Sequence, residues 1–333
     1  MPALDRLIDH PDTPEPPGAR VGVITTADRV DLRWATFAPL APSRGTVLAL
    51  HGRTEFIERW FETVRDLQVR GFTVATFDWR GQGGSQRLAR HPRKGHVSSF
   101  DGYARDLETV VTRVMPALPR PWFVLGHSTG ALMAVAEAEA LLAAGVERAV
   151  LTAPFLGLGG RHAFGEPSAR VLSRTLRALM MGRLWIPGGG PASIHTAPFE
   201  DNPLTTDPVR HARNAAFSRE HPDVVIGAPT IGWVAAGFDC MDRATSPAAL
   251  EAYRLPTLIF ACGADRIVSN RAIERFVVAT RSTEMIVLPG ARHELLQERD
   301  LWRERFWAAF DAFVPGTRPA QAAPTSAPEG EQA

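Results

Sequence analysis

The chain has 333 residues, 45% hydrophobic and 22% charged, with a formal net charge of +1. That length suits one large domain or a core carrying an insertion, and the composition allows a sizeable buried core. The near-neutral balance excludes a bulk electrostatic drive toward nucleic acid. Two cysteines, Cys240 and Cys262, exclude a disulfide framework or a cysteine-rich metal site.

Residues 1–20 are Pro-rich and acidic and read as an irregular arm. They hold no basic region followed by an apolar run, so no secretory signal is expected. The longest Ala/Leu-rich stretch, Ala131 to Val146, is broken by Glu137 and Glu139. It falls short of the roughly 20 residues a membrane span needs. The expectation is a soluble, cytoplasmic chain, with peripheral contact at the inner face of a membrane left open.

From residue 21 to 155, β-like runs alternate with helical patterns. "TVLAL" (Thr46–Leu50) is the first buried-strand candidate, and "HGR" (His51–Arg53) follows it. A helical pattern spans Arg59–Arg70, a strand "FTVATFDW" Phe72–Trp79, and a helical pattern Phe100–Met115. "WFVLG" (Trp122–Gly126), a helix over Ala131–Ala144 and "AVLTA" (Ala149–Ala153) complete the first part. The strands are continuously apolar rather than alternating, as expected where both faces are covered. Strand–helix alternation implies a mostly parallel α/β sheet.

Residues 156–250 break that rhythm. A plain loop of such length is improbable in a compact domain, so this reads as a mostly helical cap insertion over the carboxyl ends of the strands. Within it "SARVLSRTLRALMMGRLW" is amphipathic. Val171, Leu172, Leu176, Leu179 and Met180 form one stripe, and Arg170, Arg174 and Arg177 lie on another side. The plain expectation is an apolar stripe packed on its own domain beneath a solvated basic face. The sharper one is a helix that admits lipid from an anionic surface. The alternation resumes over residues 251–315 with "TLIFACG" (Thr257–Gly263), a helix Arg271–Ala279, "EMIVLP" (Glu284–Pro289) and a helix Leu301–Phe313. Residues 316–333 read as a disordered tail.

Gly126-His127-Ser128-Thr129-Gly130 matches G-x-S-x-G between a strand and a good helix former. A serine there needs a sharp, strained turn, and glycines on either side avoid collisions with strand and helix. The helix then points its positive end at a developing oxyanion. The hydroxyl needs a base, which this architecture supplies after the last strand: His293 in "VLPGARHELLQE". Asp265 in "GADRIV" stands in the order Ser, Asp, His as the acid that orients the imidazole, with Asp239 and Asp242 as competitors. Oxyanion donors are expected from the backbone N–H groups of Thr129 and Arg53.

Other patterns fail. "DWRGQGGSQ" places Gln86 where a third dinucleotide-binding glycine belongs. "HELLQ" has Gln297 in place of a second zinc-binding histidine, and "IPGGGPAS" lacks the Lys-Ser/Thr of a phosphate loop. His162, His195, His211 and His221 lack metal-ligand spacing, so neither a metal nor a cofactor is expected.

"LALHGRTEFIERW", "FDWRGQGGS", "KGHVSSFDGYARDL", "GHSTGA", "LTAPFLGL" and "GARHELLQE" resemble successive motifs of the α/β-hydrolase group that contains bacterial lysophospholipases and monoacylglycerol lipases. The stretch "NPLTTDPVRHARNAAF…GAPTIGWV" is most similar to the cap of the lysophospholipase branch. The resemblance covers roughly Val21 to Val314. It implies the α/β-hydrolase fold, with Ser128 as nucleophile, Asp265 as acid, His293 as base, and Arg53 and Thr129 at the oxyanion hole. Many monoacylglycerol lipases carry a small residue after His-Gly, where this chain has Arg53.

The expected activity is hydrolysis of carboxylic esters of single-chain lipids through an acyl-enzyme. Phe155, Trp185, Trp233 and Phe238 are candidate liners of an acyl pocket. Three alternatives stand beside it. An aminopeptidase on the same triad would need Glu200, Asp201 or Asp239 to hold a substrate ammonium. A small-ester or lactone hydrolase would use the same groups, and an inactive ligand-binding relative would use none.

Overall fold

The computed structural model describes residues 3–160 and 165–315; His162 and the tail 316–333 lie outside them. The strands are β1 (Ala19–Thr25), β2 (Asp31–Phe37), β3 (Thr46–Leu50), β4 (Thr73–Phe77), β5 (Trp122–His127), β6 (Val146–Thr152), β7 (Thr257–Cys262) and β8 (Thr283–Leu288). Among the described residues they form one eight-stranded sheet in the order β1-β2-β4-β3-β5-β6-β7-β8. Pairing is parallel from β4 through β8, while β1, β2 and β4 run antiparallel.

Every residue of β3, β4, β5 and β7 is buried, because helices cover both faces of these strands. Between strands run α1 (Phe61–Val69), α2 (Asp101–Arg113), α3 (Thr129–Ala136) and α4 (Ala138–Ala144). After β6 come α5 (Gly165–Ala178), α6 (Pro208–Glu220), α7 (Ile231–Ala244) and α8 (Pro247–Ala252). Last are α9 (Asn270–Ala279) and α10 (Asp300–Phe313). No helix among the described residues is long and apolar enough to cross a membrane.

Three expectations change. The β1–β2 hairpin was not anticipated: its outer strand "ARVGVIT" is largely solvent-accessible and mixes Arg and Gly among apolar residues, as an edge strand can. The helix expected over Ala131–Ala144 is two helices that meet at Glu137, whose φ of −108° leaves the helical range. The amphipathic segment is turned over. Arg170, Arg174 and Arg177 of α5 face Asp239 and Asp242 of α7, while Val171, Leu172, Leu179 and Met180 point to solvent. The two α7 carboxylates explain it, because they offer the arginines partners that solvent would only screen.

Candidate active site

The strand register assembles the site. Leu50 of β3 pairs with Gly126 of β5, so His51-Gly52-Arg53 leaves the sheet beside His127-Ser128. Ser128 then turns at φ 51° and ψ −111°, a left-handed conformation rarely held by a residue with a side chain. The glycines are required by contact. A Cβ on Gly130 would lie 2.1 Å from the Leu50 carbonyl oxygen, and one on Gly126 would lie 3.0 Å from the Ala131 Cα.

His293 follows β8 after a turn in which Gly290 has φ 85°. Its Nε2 lies 3.1 Å from Ser128 Oγ, and its Nδ1 lies 2.7 Å from Asp265 Oδ2. Asp265 follows β7, and its Oδ1 accepts the N–H groups of Ile267 and Val268. The free oxygen therefore faces the imidazole. An ionised carboxylate only accepts, so Nδ1–H donates to it and Nε2 is left to accept the serine proton.

Burial disfavours charge on both partners, but their mutual attraction prevails. Asp265 is held below the ordinary aspartate range by the His293 charge and three hydrogen bonds. His293 is raised above 6.5, because Asp265 first, then Glu294 and Glu55, outweigh its desolvation.

Thr129 opens α3, so its N–H has no acceptor within the helix. On the facing loop the Gly52 N–H is already taken by Glu55 Oε2 at 2.6 Å, which leaves Arg53 as the next backbone donor. A Cβ on Gly52 would come 3.1 Å from Ser128 Cβ, so this loop packs against Ser128.

What holds that loop escaped the sequence reading. The glycine-rich stretch after β4 wraps around the buried Asp78. A Cβ on Gly83 would sit 2.2 Å from the Asp78 carboxyl carbon, and Gly84 N–H donates to Oδ2 at 2.7 Å. Asp78 also pairs with Arg33 at 2.6 Å and His51 Nε2 at 3.1 Å. His51 Nδ1 faces the Gly52 carbonyl at 3.0 Å. Burial disfavours the charged ring, but Asp78 outweighs it, and the His51 pKa is raised above 6.5. Gln82 donates to the Gly52 carbonyl and Trp79 Nε1 to that of His51.

The stretch after His293 is a second hub. Glu294 pairs with buried Arg59 at 2.7 Å, and Gln297 binds Arg213, Asn214 and the Arg59 carbonyl. Glycine runs and a "HELLQ" string hint at a constrained loop, but only long-range pairing shows what constrains it.

The aromatic candidates divide. Phe155 N–H donates to the Ser128 carbonyl at 3.1 Å, its ring stacks on Trp233 at 5.8 Å, and Trp233 carries the Arg53 guanidinium on its face. Phe238 is buried beneath Arg170 instead, and Trp185 faces His91 and Lys94. Of the acids an aminopeptidase would need, Asp239 is bound by Arg174 and Arg177 and Glu200 is exposed. The Asp201 side chain lies outside what is described. Asp242 is likewise held by arginines, away from His293.

The family profile described as "Serine aminopeptidase, S33" matches residues 41–300. Lysophospholipase L2 of Escherichia coli is 31% identical over 297 residues, covering 84% of this chain and 82% of its own. A probable lysophospholipase L2 of Haemophilus influenzae is 28% identical over 277 residues, with 83% and 85% covered. Among solved structures, a soluble variant of monoglyceride lipase from Saccharomyces cerevisiae superimposes with a TM-score of 0.70 at 18% identity, over 89% of this chain and 95% of that one. A carboxyl esterase from Bacillus coagulans gives 0.66 at 21% identity, over 90% and 99%. The chain has the α/β-hydrolase fold and belongs to the serine aminopeptidase, S33, family of hydrolases.

Proposed function

We propose that the protein is a serine hydrolase of carboxylic esters in single-chain lipids, working through an acyl-enzyme. The observation that carries this reading is the continuous chain from Ser128 Oγ through the His293 ring to Asp265 at the carboxyl ends of β5, β7 and β8. In the proposed cycle, Ser128 Oγ bonds to the acyl carbon as His293 Nε2 takes its proton. The carbonyl oxygen becomes an alkoxide, held by the Arg53 and Thr129 N–H groups. The ester C–O bond breaks and the alcohol leaves with the proton from His293. Water, deprotonated by the same nitrogen, then releases the fatty acid and restores the serine.

The lipid preference is supported by the lysophospholipase relatives. Ser128 and His293 are both buried; in this reading the segment 156–250 caps them and opens to admit substrate. The outward apolar face of α5 suits contact with a lipid surface, where it replaces water.

The test is a panel of purified wild-type and S128A protein on lysophospholipid, monoacylglycerol, a soluble short ester and an aminoacyl amide. The expected result is hydrolysis of a single-chain lipid ester, lost in S128A by at least about 10³-fold. The family's description favours a second reading, cleavage of an N-terminal residue from peptides. Turnover of the aminoacyl amide with the lipids untouched would establish that one instead.

A further inference from the structure

Arg53 does more than present its backbone to the oxyanion. Buried Arg33, Arg59 and Arg80 are each paired with a carboxylate: Glu58 and Asp78, Glu294, and Asp28 and Asp106 respectively; buried Arg87 instead donates to the Asp223 carbonyl. Among the described residues the half-buried Arg53 side chain has no carboxylate partner. Its Nη2 donates to the Gly227 carbonyl at 2.9 Å, its Nε is buried without an acceptor, and its plane lies 5.1 Å from the centre of the Trp233 ring. Desolvation lowers its pKa to about 10, with only Tyr103 in opposition. The group is thus a cation at neutral pH that lacks its anion.

Its position says where the anion would come from. The Arg53 main chain follows Gly52 against Ser128, and its guanidinium rests on Trp233, which stacks on Phe155, which binds the Ser128 carbonyl. In a 1-acyl glycerophospholipid the phosphorus stands six bonds from the acyl carbon, roughly 7 Å when extended. The Arg53 side chain has a comparable reach from its own backbone N–H.

Resting on the reading of this protein as a single-chain lipid hydrolase, we propose that the Arg53 guanidinium receives the headgroup phosphate of a monoacyl glycerophospholipid and selects such lipids over neutral monoacylglycerols. A planar fork with two or more free donors matches phosphate oxygens. A neutral glycerol offers it no charge to offset.

The experiment compares kcat/KM for 1-palmitoyl lysophosphatidylethanolamine and for 1-palmitoylglycerol, each dilute in the same nonionic-detergent micelles. Wild type, Arg53→Met and Arg53→Lys are measured. Any disturbance of the oxyanion loop acts on both substrates and cancels in the ratio. The expected result is a fall in the phospholipid-to-glycerolipid ratio of about ten- to a hundredfold in R53M, with R53K between. A ratio within about twofold of wild type overturns the proposal. Should R53M fail to fold, wild-type hydrolysis of a soluble p-nitrophenyl ester decides. Inhibition by sn-glycerol 3-phosphate at a concentration at least about tenfold below that needed for glycerol supports the phosphate site, and equal inhibition overturns it. Wild type that cleaves the soluble ester but neither lipid removes the lipid reading itself, and this proposal with it.

Discussion

Asp265 spends one carboxylate oxygen on the Ile267 and Val268 amides and the other on His293. That arrangement sets the tautomer of the His293 ring and favours its charged form. In the proposed mechanism the neutral imidazole is the active form, and Asp265 raises its pKa above 6.5, so activity should fall as pH drops through a midpoint above 6.5. Asp265→Asn should move that midpoint down and lower kcat by about 10⁴-fold, the loss typical when an amide leaves the wrong tautomer. A pH–rate profile of both proteins checks the two effects together; an unmoved acid limb would detach Asp265 from the base. Gly130 supports a second expectation at this scale. In Gly130→Ala the added carbon would meet the Leu50 carbonyl oxygen at 2.1 Å, and backbone cannot yield as a flexible side chain can. The variant should lose about 1–3 kcal/mol of stability and most of its turnover, read by denaturant midpoint and esterase assay.

At the level of elements, two surfaces decide how the segment after β6 is held. One is a charged hub: Glu62 of α1 binds Arg210 and Arg213 of α6 and lies 3.5 Å from Arg303 of α10. Burial would raise the Glu62 pKa, but the Arg210 hydrogen bond and the three guanidinium charges bring it from 4.5 to about 2. A depressed folded pKa means stabilisation that is complete above about pH 4.5 and disappears toward pH 2. Glu62→Gln should therefore cost about 1–3 kcal/mol near pH 6, and its difference from wild type should shrink below pH 4 in urea titrations. The other surface is α5. It meets α7 through partly exposed ion pairs, each worth about 0–1 kcal/mol, while Val171 on its outer face is 67% exposed and Met180 in the turn after it 91%. Replacing Val171, Leu179 and Met180 with serine should leave stability almost unchanged and reduce turnover of micellar lipid more than that of a soluble ester. Equal effects on both substrates would remove α5 from any lipid contact.

Across the whole molecule, what was legible in the sequence was local. The parallel strands announced themselves as short apolar runs. The serine elbow did so because strand, glycines and helix are contiguous from Trp122 to Ala136. The sequence placed Asp265 and His293 after successive strands, and the fold brings their side chains within 2.7 Å of each other. The features that escaped depend on partners distant in the chain. Asp78 holds Arg33, His51 and Gly84 around one carboxylate, and Glu294 reaches Arg59 across 235 residues. The two stripes of α5 were visible, but which one faced inward was decided by Asp239 and Asp242 on another helix.

The most direct measurement is covalent labelling of the intact protein with a fluorophosphonate, mapped by mass spectrometry on wild type, S128A and H293A. The expected outcome is a single adduct on Ser128 in wild type, none in S128A, and labelling of H293A slowed by at least about 10²-fold. An adduct that persists in S128A, or a wild type that hydrolyses esters while resisting the reagent at Ser128, would contradict the assignment.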